Sequence, residues 1–299
     1  MMQNYETIGF IGLGVMGGPM CRNIAQKHGG RVLVHDLSSD ALAALADTKT
    51  EACATVEQLA GEADIICLSL PGGPQVQAVA KMLVGAARPG TAVVDLSTTT
   101  VASARETQAI LAANDIAFAD APVARTREAA QQGKLSIMVG APDPLYARIR
   151  PLFDYIASDV THGGAVGAGQ VLKLANNMLV FANTVALAEM IVLGERAGVD
   201  ANTLLDAVSK GSGDSFVLRN HGRKAMAPRH FPDKSFPPEY VLKDIDYVFH
   251  LAAETGVALP AAAKIKEYYQ AAVENGLGGR YFPGVIQLVE NGTMPEEEQ

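Results

Sequence analysis

Gly12-Leu13-Gly14-Val15-Met16-Gly17 follows the short apolar run Thr7–Ile11 and leads into Met16–Lys27, whose apolar spacing is helical. A strand, a glycine-rich turn and a helix in that order make a phosphate cradle. Gly12 permits the tight turn, Gly14 lets backbone approach a pyrophosphate, and Gly17 lets helix and strand pack closely. Val15 and Met16 complete the loop. The helix N-terminus adds amide donors and partial positive charge. A second apolar run, Arg31–His35, ends at Asp36, about 20 residues beyond the glycines, where a carboxylate can accept from the adenosine ribose hydroxyls. The same carboxylate repels a 2′-phosphate, so the reading is NAD, with NADP the less favoured cofactor.

Working outward, apolar runs and helical stretches alternate. Strands are expected at Asp64–Leu68, Ala92–Asp95, Ile116–Asp120, Leu135–Val139 and Asp159–Thr161. Helices are expected at Asp40–Ala46, Gly73–Met82, Ala102–Ala113 and Pro144–Ile156. Such alternation predicts a parallel, doubly wound sheet. Residues at the carboxyl ends of its strands face the cofactor crevice, which selects Leu70, Pro71, Ser97 and Thr98. The two hydroxyl residues also suit a helix cap.

The rhythm changes at the glycine cluster between Gly163 and Gly169. Beyond it the pattern is helical: a long helix over Ala168–Ala197, then Ala201–Lys210, Tyr240–Thr255, Ala261–Asn275 and Pro283–Glu290. The expected organisation is an α/β Rossmann-type NAD-binding domain over 1–166 and an all-α substrate and oligomerisation domain over 167–299, joined by the long interdomain helix.

Lys173 and Asn177 lie one helical turn apart on that helix, with Val180 and Thr184 continuing the stripe. A lysine and an amide on an apolar helix are costly to bury without partners. They are expected to line a cleft between the domains, where the lysine exchanges a proton with a hydroxyl or carbonyl oxygen. A snorkelling lysine beside an inter-helix amide bond is the plainer reading of the same spacing.

The net charge of −8 argues against nucleic acid or an anionic membrane as partner, while leaving room for a small anionic substrate in a locally positive pocket. Cys21, Cys53 and Cys67 are scattered, which fits reduced thiols and a cytoplasmic location. No basic segment precedes the first apolar run, so no secretory signal is expected. The six histidines form no ligand-spaced pair, and no catalytic metal is expected. Phe231 and Phe236 read as hydrophobic anchors or as a cover over a nicotinamide, His162 as a strand-end residue, and 294–299 as a loose acidic tail.

Several segments together resemble the β-hydroxyacid dehydrogenase family, of the 3-hydroxyisobutyrate dehydrogenase and tartronate semialdehyde reductase type. They are the glycine loop extended through Gly18-Pro19-Met20, Asp95-Leu96-Ser97-Thr98, Asp120-Ala121-Pro122-Val123, Gly169-Gln170-Val171-Leu172-Lys173-Leu174-Ala175-Asn176-Asn177, and Lys243-Asp244. The resemblance spans nearly the whole chain. It implies that Lys173 is the catalytic acid–base, that Asn177 serves the substrate and that Lys243 approaches the cofactor. It also implies homodimers or homotetramers.

One segment departs from the family. After Asp-Ala-Pro-Val the family commonly carries Ser-Gly-Gly, which holds the substrate carboxylate; here Ala124-Arg125-Thr126 follow Val123. Arg125 and Thr126 are expected to take over that anion, with Val123 and Ala124 beside them, because guanidinium offers paired planar donors. The sulfolactaldehyde reductases of the family carry a similar Pro-Val-x-Arg-Thr segment, so a sulfonated aldehyde is an alternative substrate, although Val180 stands where such an enzyme would offer a polar group. A surface arginine paired with Glu128 or Asp120 is the structural alternative. An imine reductase of the same fold is disfavoured by Lys173, and a non-catalytic NAD sensor or scaffold by Lys173 with Asn177.

Overall fold

The computed structural model describes residues 7–233 and 235–293; the expected acidic tail lies outside them. Two compact units divide at Lys173/Leu174.

The first unit begins β1 (Thr7–Ile11), α1 (Gly17–Lys27), β2 (Arg31–His35), α2 (Ser39–Ala43), β3 (Thr50–Ala52), α3 (Val56–Glu62), β4 (Ile65–Leu68), α4 (Gly73–Val84). It continues β5 (Ala92–Asp95), α5 (Val101–Ala112), β6 (Ala117–Asp120), β7 (Val123–Ala124), α6 (Arg127–Gln131), β8 (Leu135–Gly140), α7 (Asp143–Phe153), β9 (Ala157–Gly164) and the start of α8 (Ala168–Arg196). The strands form one sheet in the order β3-β2-β1-β4-β5-β6-β8-β7, with β9 on β8. The chain leaves β1 in opposite directions toward β2 and β4, which makes a topological switch point beside the glycine loop.

Alternate residues of the central strands feed two cores. Ile8, Phe10, Ile65, Cys67 and Val94 face one side, and Ile11, Ile66, Leu68 and Val93 the other. Both faces are covered by helices, so the strands read as continuous apolar runs.

The expectation of a wholly parallel sheet is corrected at one edge: β8 runs antiparallel to β6 and β7. Strands β6 and β7 run the same way along β8, in the register Asp120↔Gly140, Val123↔Ile137 and Ala124↔Ser136, and the chain reverses once, through the segment that carries α6. Elements β3, α3, β7 and α6 were not expected, being too short for a periodic signal.

The second unit carries most of α8, then α9 (Ala201–Val208), α10 (Pro238–Thr255), α11 (Pro260–Ala272) and α12 (Ile286–Asn291). A π-helical turn over Leu218–Met226 went unforeseen. Its buried His221 accepts or donates a 2.7 Å bond with the Tyr281 hydroxyl, and burial lowers its pKa to about 4. Among the described residues the second unit holds only one isolated β-bridge, between Asp233 and Arg280. Phe181, Leu187, Ile191, Tyr269, Phe282 and Ile286 are buried in its core. Helix α8 is long and apolar enough to cross a membrane by length and composition, but its buried face packs into that core, as a core helix does.

Candidate active site

The three glycines of the loop differ in surroundings. Gly12 has φ +93°, and a Cβ there would lie 2.2 Å from the Ser69 carbonyl oxygen. A Cβ on Gly17 would lie 2.0 Å from the Gly12 carbonyl oxygen. Around Gly14 nothing lies within 4 Å of a Cβ position. Gly12 therefore serves the turn and Gly17 the packing, whereas internal packing places no demand on Gly14. Open space at that glycine, an exposed Val15 and a helix start with no side-chain cap and no acidic first turn suit a pyrophosphate.

Asp36 closes the loop from the end of β2. Its Oδ2 accepts from the Leu13 amide at 2.5 Å and its Oδ1 from the Ser38 amide at 2.7 Å. A carboxylate offers about four acceptor positions, so capacity remains for ribose hydroxyls.

At the carboxyl ends of β4 and β5, the Leu70 amide donates to Ser97 Oγ at 2.9 Å and the Ser97 amide to Asp95 Oδ1 at 3.0 Å. The cap of α5 is Thr100, whose side chain accepts from the Ser103 amide, so Ser97 and Thr98 are not the cap. Thr98 is half-buried and Pro71 exposed at the same edge.

Helix α8 is clamped to this edge at its start. Asp120, ending β6, accepts from the Gly167 amide at 2.6 Å and the Gln170 amide at 2.8 Å. Gln170 accepts from the Thr99 amide at 3.0 Å and donates to the Ser97 carbonyl at 2.9 Å. Lys173, buried to 9% exposure, comes three residues later, so the clamp places it at the strand ends. Burial raises Asp95 to about 7, and its Oδ2 has no partner. Burial also raises Asp120, to about 6, against the opposing pull of its amide donors. The clamping role of Asp120 and Gln170 was missed in the sequence, where Asp120 stood as a motif member and a possible partner of Arg125, and Gln170 only as a motif member.

One turn beyond Lys173, Asn177 is buried, and its Nδ2 donates to Asp244 Oδ2 at 2.7 Å. Its Oδ1 accepts from Asn176 at 3.1 Å. Thr184 is buried and donates back to the Val180 carbonyl at 2.8 Å. Lys243 lies 3.6 Å from the other Asp244 oxygen and over the rings of Tyr240 and Tyr247. Asp244 as the group that orients Asn177 was also missed; its adjacency to Lys243 was the only sign. Phe231 packs against the core of the second unit, while Phe236, 40% exposed, stacks on Phe181.

The segment after Val123 departs from its expected use. Thr126 caps α6 by accepting from the Ala129 amide at 3.3 Å. Arg125 has φ +88°, and its guanidinium is turned to neighbouring strands. It donates to the Lys134 carbonyl at 2.7 Å, Ser158 Oγ at 2.6 Å and Asp159 Oδ2 at 2.7 Å. Neither Glu128 nor Asp120 is its partner in these bonds. The Ser158 hydroxyl and the Arg125 guanidinium hold the Asp159 carboxyl below its ordinary pKa. His162 lies within β9, stacked on Tyr146 with its Nε2 2.7 Å from the Ala141 carbonyl. All three cysteines are buried free thiols, and burial pushes Cys21 up to about 12.

Comparison with known proteins agrees with this geometry. Residues 7–164 match the family model for the NAD binding domain of 6-phosphogluconate dehydrogenase. Residues 167–289 match that for the NAD-binding region of NADP-dependent 3-hydroxyisobutyrate dehydrogenase. The chain belongs to the β-hydroxyacid dehydrogenase family. It is 32% identical to 2-(hydroxymethyl)glutarate dehydrogenase of Eubacterium barkeri over 98% of this chain and 97% of that one. It is 30% identical to 2-hydroxy-3-oxopropionate reductase of Escherichia coli, covering 95% and 97%. The structure of Mycobacterium tuberculosis 3-hydroxyisobutyrate dehydrogenase with L-serine superposes with a TM-score of 0.88 at 29% identity, covering 95% of this chain and 99% of that one. Imine reductases share the fold at 17% identity. This family member is thus an NAD(P)-dependent oxidoreductase acting on hydroxyl groups or their carbonyl counterparts.

Proposed function

We propose that this β-hydroxyacid dehydrogenase transfers a hydride reversibly between NAD and a small anionic 3-hydroxy acid or its semialdehyde. The observation that supports the reading is the clamp: Asp120 and Gln170 fix the start of α8 to the carboxyl ends of β5 and β6, and buried Lys173 follows three residues on.

The bound cofactor supplies or takes up the hydride. Lys173 gives a proton to the forming alkoxide in reduction and takes the hydroxyl proton in oxidation. Asn177, oriented by Asp244, holds the reacting oxygen. Asp36 accepts from the ribose hydroxyls and disfavours a 2′-phosphate. Lys243 serves the cofactor. The residues at 123–126 form the substrate loop.

The names of the relatives share one frame. 2-(Hydroxymethyl)glutarate, 3-hydroxyisobutyrate, 2-hydroxy-3-oxopropionate and L-serine each carry an alcohol or aldehyde carbon attached to the carbon that bears a carboxylate. We extend that frame to this chain, with the second substituent on the middle carbon left to experiment. Arg125, the expected partner of either a carboxylate or a sulfonate, has its guanidinium already bonded to Ser158 and Asp159, so the choice of carboxylate rests on the shared frame of the relatives' names.

Initial rates with NADH and NADPH against succinic, methylmalonic and tartronic semialdehydes, glyoxylate and sulfolactaldehyde test the reading. NADH-dependent reduction of a carboxylate semialdehyde supports it. Turnover confined to sulfolactaldehyde, or to NADPH, overturns the substrate class or the Asp36 assignment respectively.

Self-association belongs to the same proposal. Leu179, Met190 and Leu193 are 64%, 47% and 60% exposed on α8, an apolar stripe suited to a second copy. Light scattering that gives a monomer at micromolar concentration would remove it.

A further inference from the structure

Three non-glycine residues have positive φ among the described residues: Asp115 at 56°, Arg229 at 53° and Arg125 at 88°. The first two lie in the ordinary left-handed well, which spans roughly 50° to 70°. Arg125 lies outside it. A side chain holds such a conformation only where its surroundings over-determine it, and residues so held gather at functional sites.

The surroundings are specific. Ala124 pairs with Ser136 on β8, and Ser136 pairs with Asp159 on β9. The three residues form one row across three strands, and Arg125 follows the first of them. Its side chain reaches over β8 to β9. There the register slips between Leu135 and Ser136: Leu135 pairs with Ala157, but Ser136 pairs with Asp159. Ser158 is therefore the extra residue of a bulge, a device that re-aims side chains. The guanidinium bonds Ser158 Oγ and Asp159 Oδ2, and the Ser158 hydroxyl donates to the same Asp159 oxygen at 2.8 Å. A fourth bond reaches the Lys134 carbonyl.

We infer that Arg125 is a positioning residue: latched to Ser158 and Asp159, it holds the 123–126 backbone in the left-handed turn and sets substrate affinity without touching the substrate. The latch does with four bonds what glycine does by lacking a Cβ. An exposed arginine–carboxylate pair alone is weak and screened by salt. Here the guanidinium also bonds a hydroxyl and a backbone carbonyl, so its side chain is fixed at three separate acceptors. The inference rests on the reading of 123–126 as the substrate loop.

The test uses the full-length enzyme with its best carboxylate substrate and three variants: Arg125→Ala, Arg125→Gly and Asp159→Asn. Readouts are KM, kcat, the KM for NADH, and amide hydrogen exchange across 122–127. Arg125→Ala keeps the strained backbone and loses the latch, so KM for the substrate rises roughly tenfold and loop exchange accelerates. Its kcat and KM for NADH stay within about twofold, because Lys173 and the glycine loop are untouched. Arg125→Gly needs no latch and stays within about threefold of the unaltered enzyme in KM. Asp159→Asn shifts KM in the same direction as Arg125→Ala. Equal KM increases in the alanine and glycine variants, with Asp159→Asn silent, mean direct contact with the anion and overturn the latch. Unchanged loop exchange in Arg125→Ala also overturns it. Faster exchange with an unchanged KM leaves the latch standing but removes 123–126 from the substrate site, which defeats the inference as stated.

Discussion

The Asn177 side-chain amide donates to Asp244 Oδ2 at 2.7 Å, and both groups are buried. A charge-assisted bond in that setting fixes which way the asparagine points. Asp244→Ala leaves a buried amide unpaired, which costs about 1–3 kcal/mol. The expected result is a fall in kcat/KM of roughly tenfold with NADH affinity unchanged. Asp244→Asn keeps an acceptor and is milder. Steady-state kinetics and NADH fluorescence titration check both. Loss of NADH binding in step with activity would show that Asp244 serves the cofactor rather than Asn177.

Lys173 is the only ionisable side chain on the first two turns of α8. Lys173→Ala is expected to lower kcat by a factor on the order of 10² or more while NADH binding stays near normal. Single-turnover rates separate the chemical step from product release. Near-normal turnover would pass the proton role to another group.

The fold was legible where the chain repeats a period long enough to read. The five residues of β1, the glycine loop and the 29 residues of α8 all announce themselves. Elements β7, with two residues, and α6, with five, carry no period. The antiparallel run of β8 depends on a single reversal through the short α6 segment and leaves no trace in apolar spacing. The site divides in the same way. Lys173 and Asn177 stood out as polar residues on an apolar helix. The partners that fix them were hidden: Asp120 lies 47 residues before the Gly167 amide it accepts from, and Asp244 lies 67 residues after Asn177. Arg125 was legible as a departure from a family pattern, but its partners depend on a bulge in β9 that sequence spacing does not reveal.

The glycine loop makes opposite demands at two positions. Gly17→Ala drives a methyl to 2.0 Å from the Gly12 carbonyl oxygen. Overpacking of that kind costs about 1–3 kcal/mol. That outweighs the gain of up to about 1 kcal/mol from alanine's helix preference. Gly14→Ala meets nothing within 4 Å, so its melting temperature is unchanged. It nevertheless weakens NADH roughly tenfold or more, because backbone must approach the pyrophosphate there. Differential scanning fluorimetry with and without NADH checks the pair. Normal NADH affinity in Gly14→Ala would move the pyrophosphate elsewhere.

Asp36 carries both a structural bond and the proposed cofactor choice. Asp36→Asn retains an acceptor for the Leu13 amide and removes the charge. Like charges in a partly exposed site repel by about 1–2 kcal/mol. The ratio of kcat/KM for NADH to that for NADPH is therefore expected to fall roughly tenfold. An unchanged ratio would assign discrimination to other residues.

Asp95 gives the stability a pH dependence of definite sign. Its folded pKa is about 7, against about 3.9 for an unfolded aspartate. Between those values the folded chain holds more protons than the unfolded one, so this group lowers stability as pH rises through the window. The penalty is complete above about pH 7 and vanishes near pH 4. Asp95→Asn keeps the shape and an acceptor for the Ser97 amide but cannot ionise. The variant is therefore expected to melt higher than the unaltered protein at pH 8, with the gap narrowing at pH 5. Thermal unfolding at the two pH values measures it. A gap of equal size at both would mean that the ionisation of Asp95 contributes nothing, and that the substitution acts through packing alone.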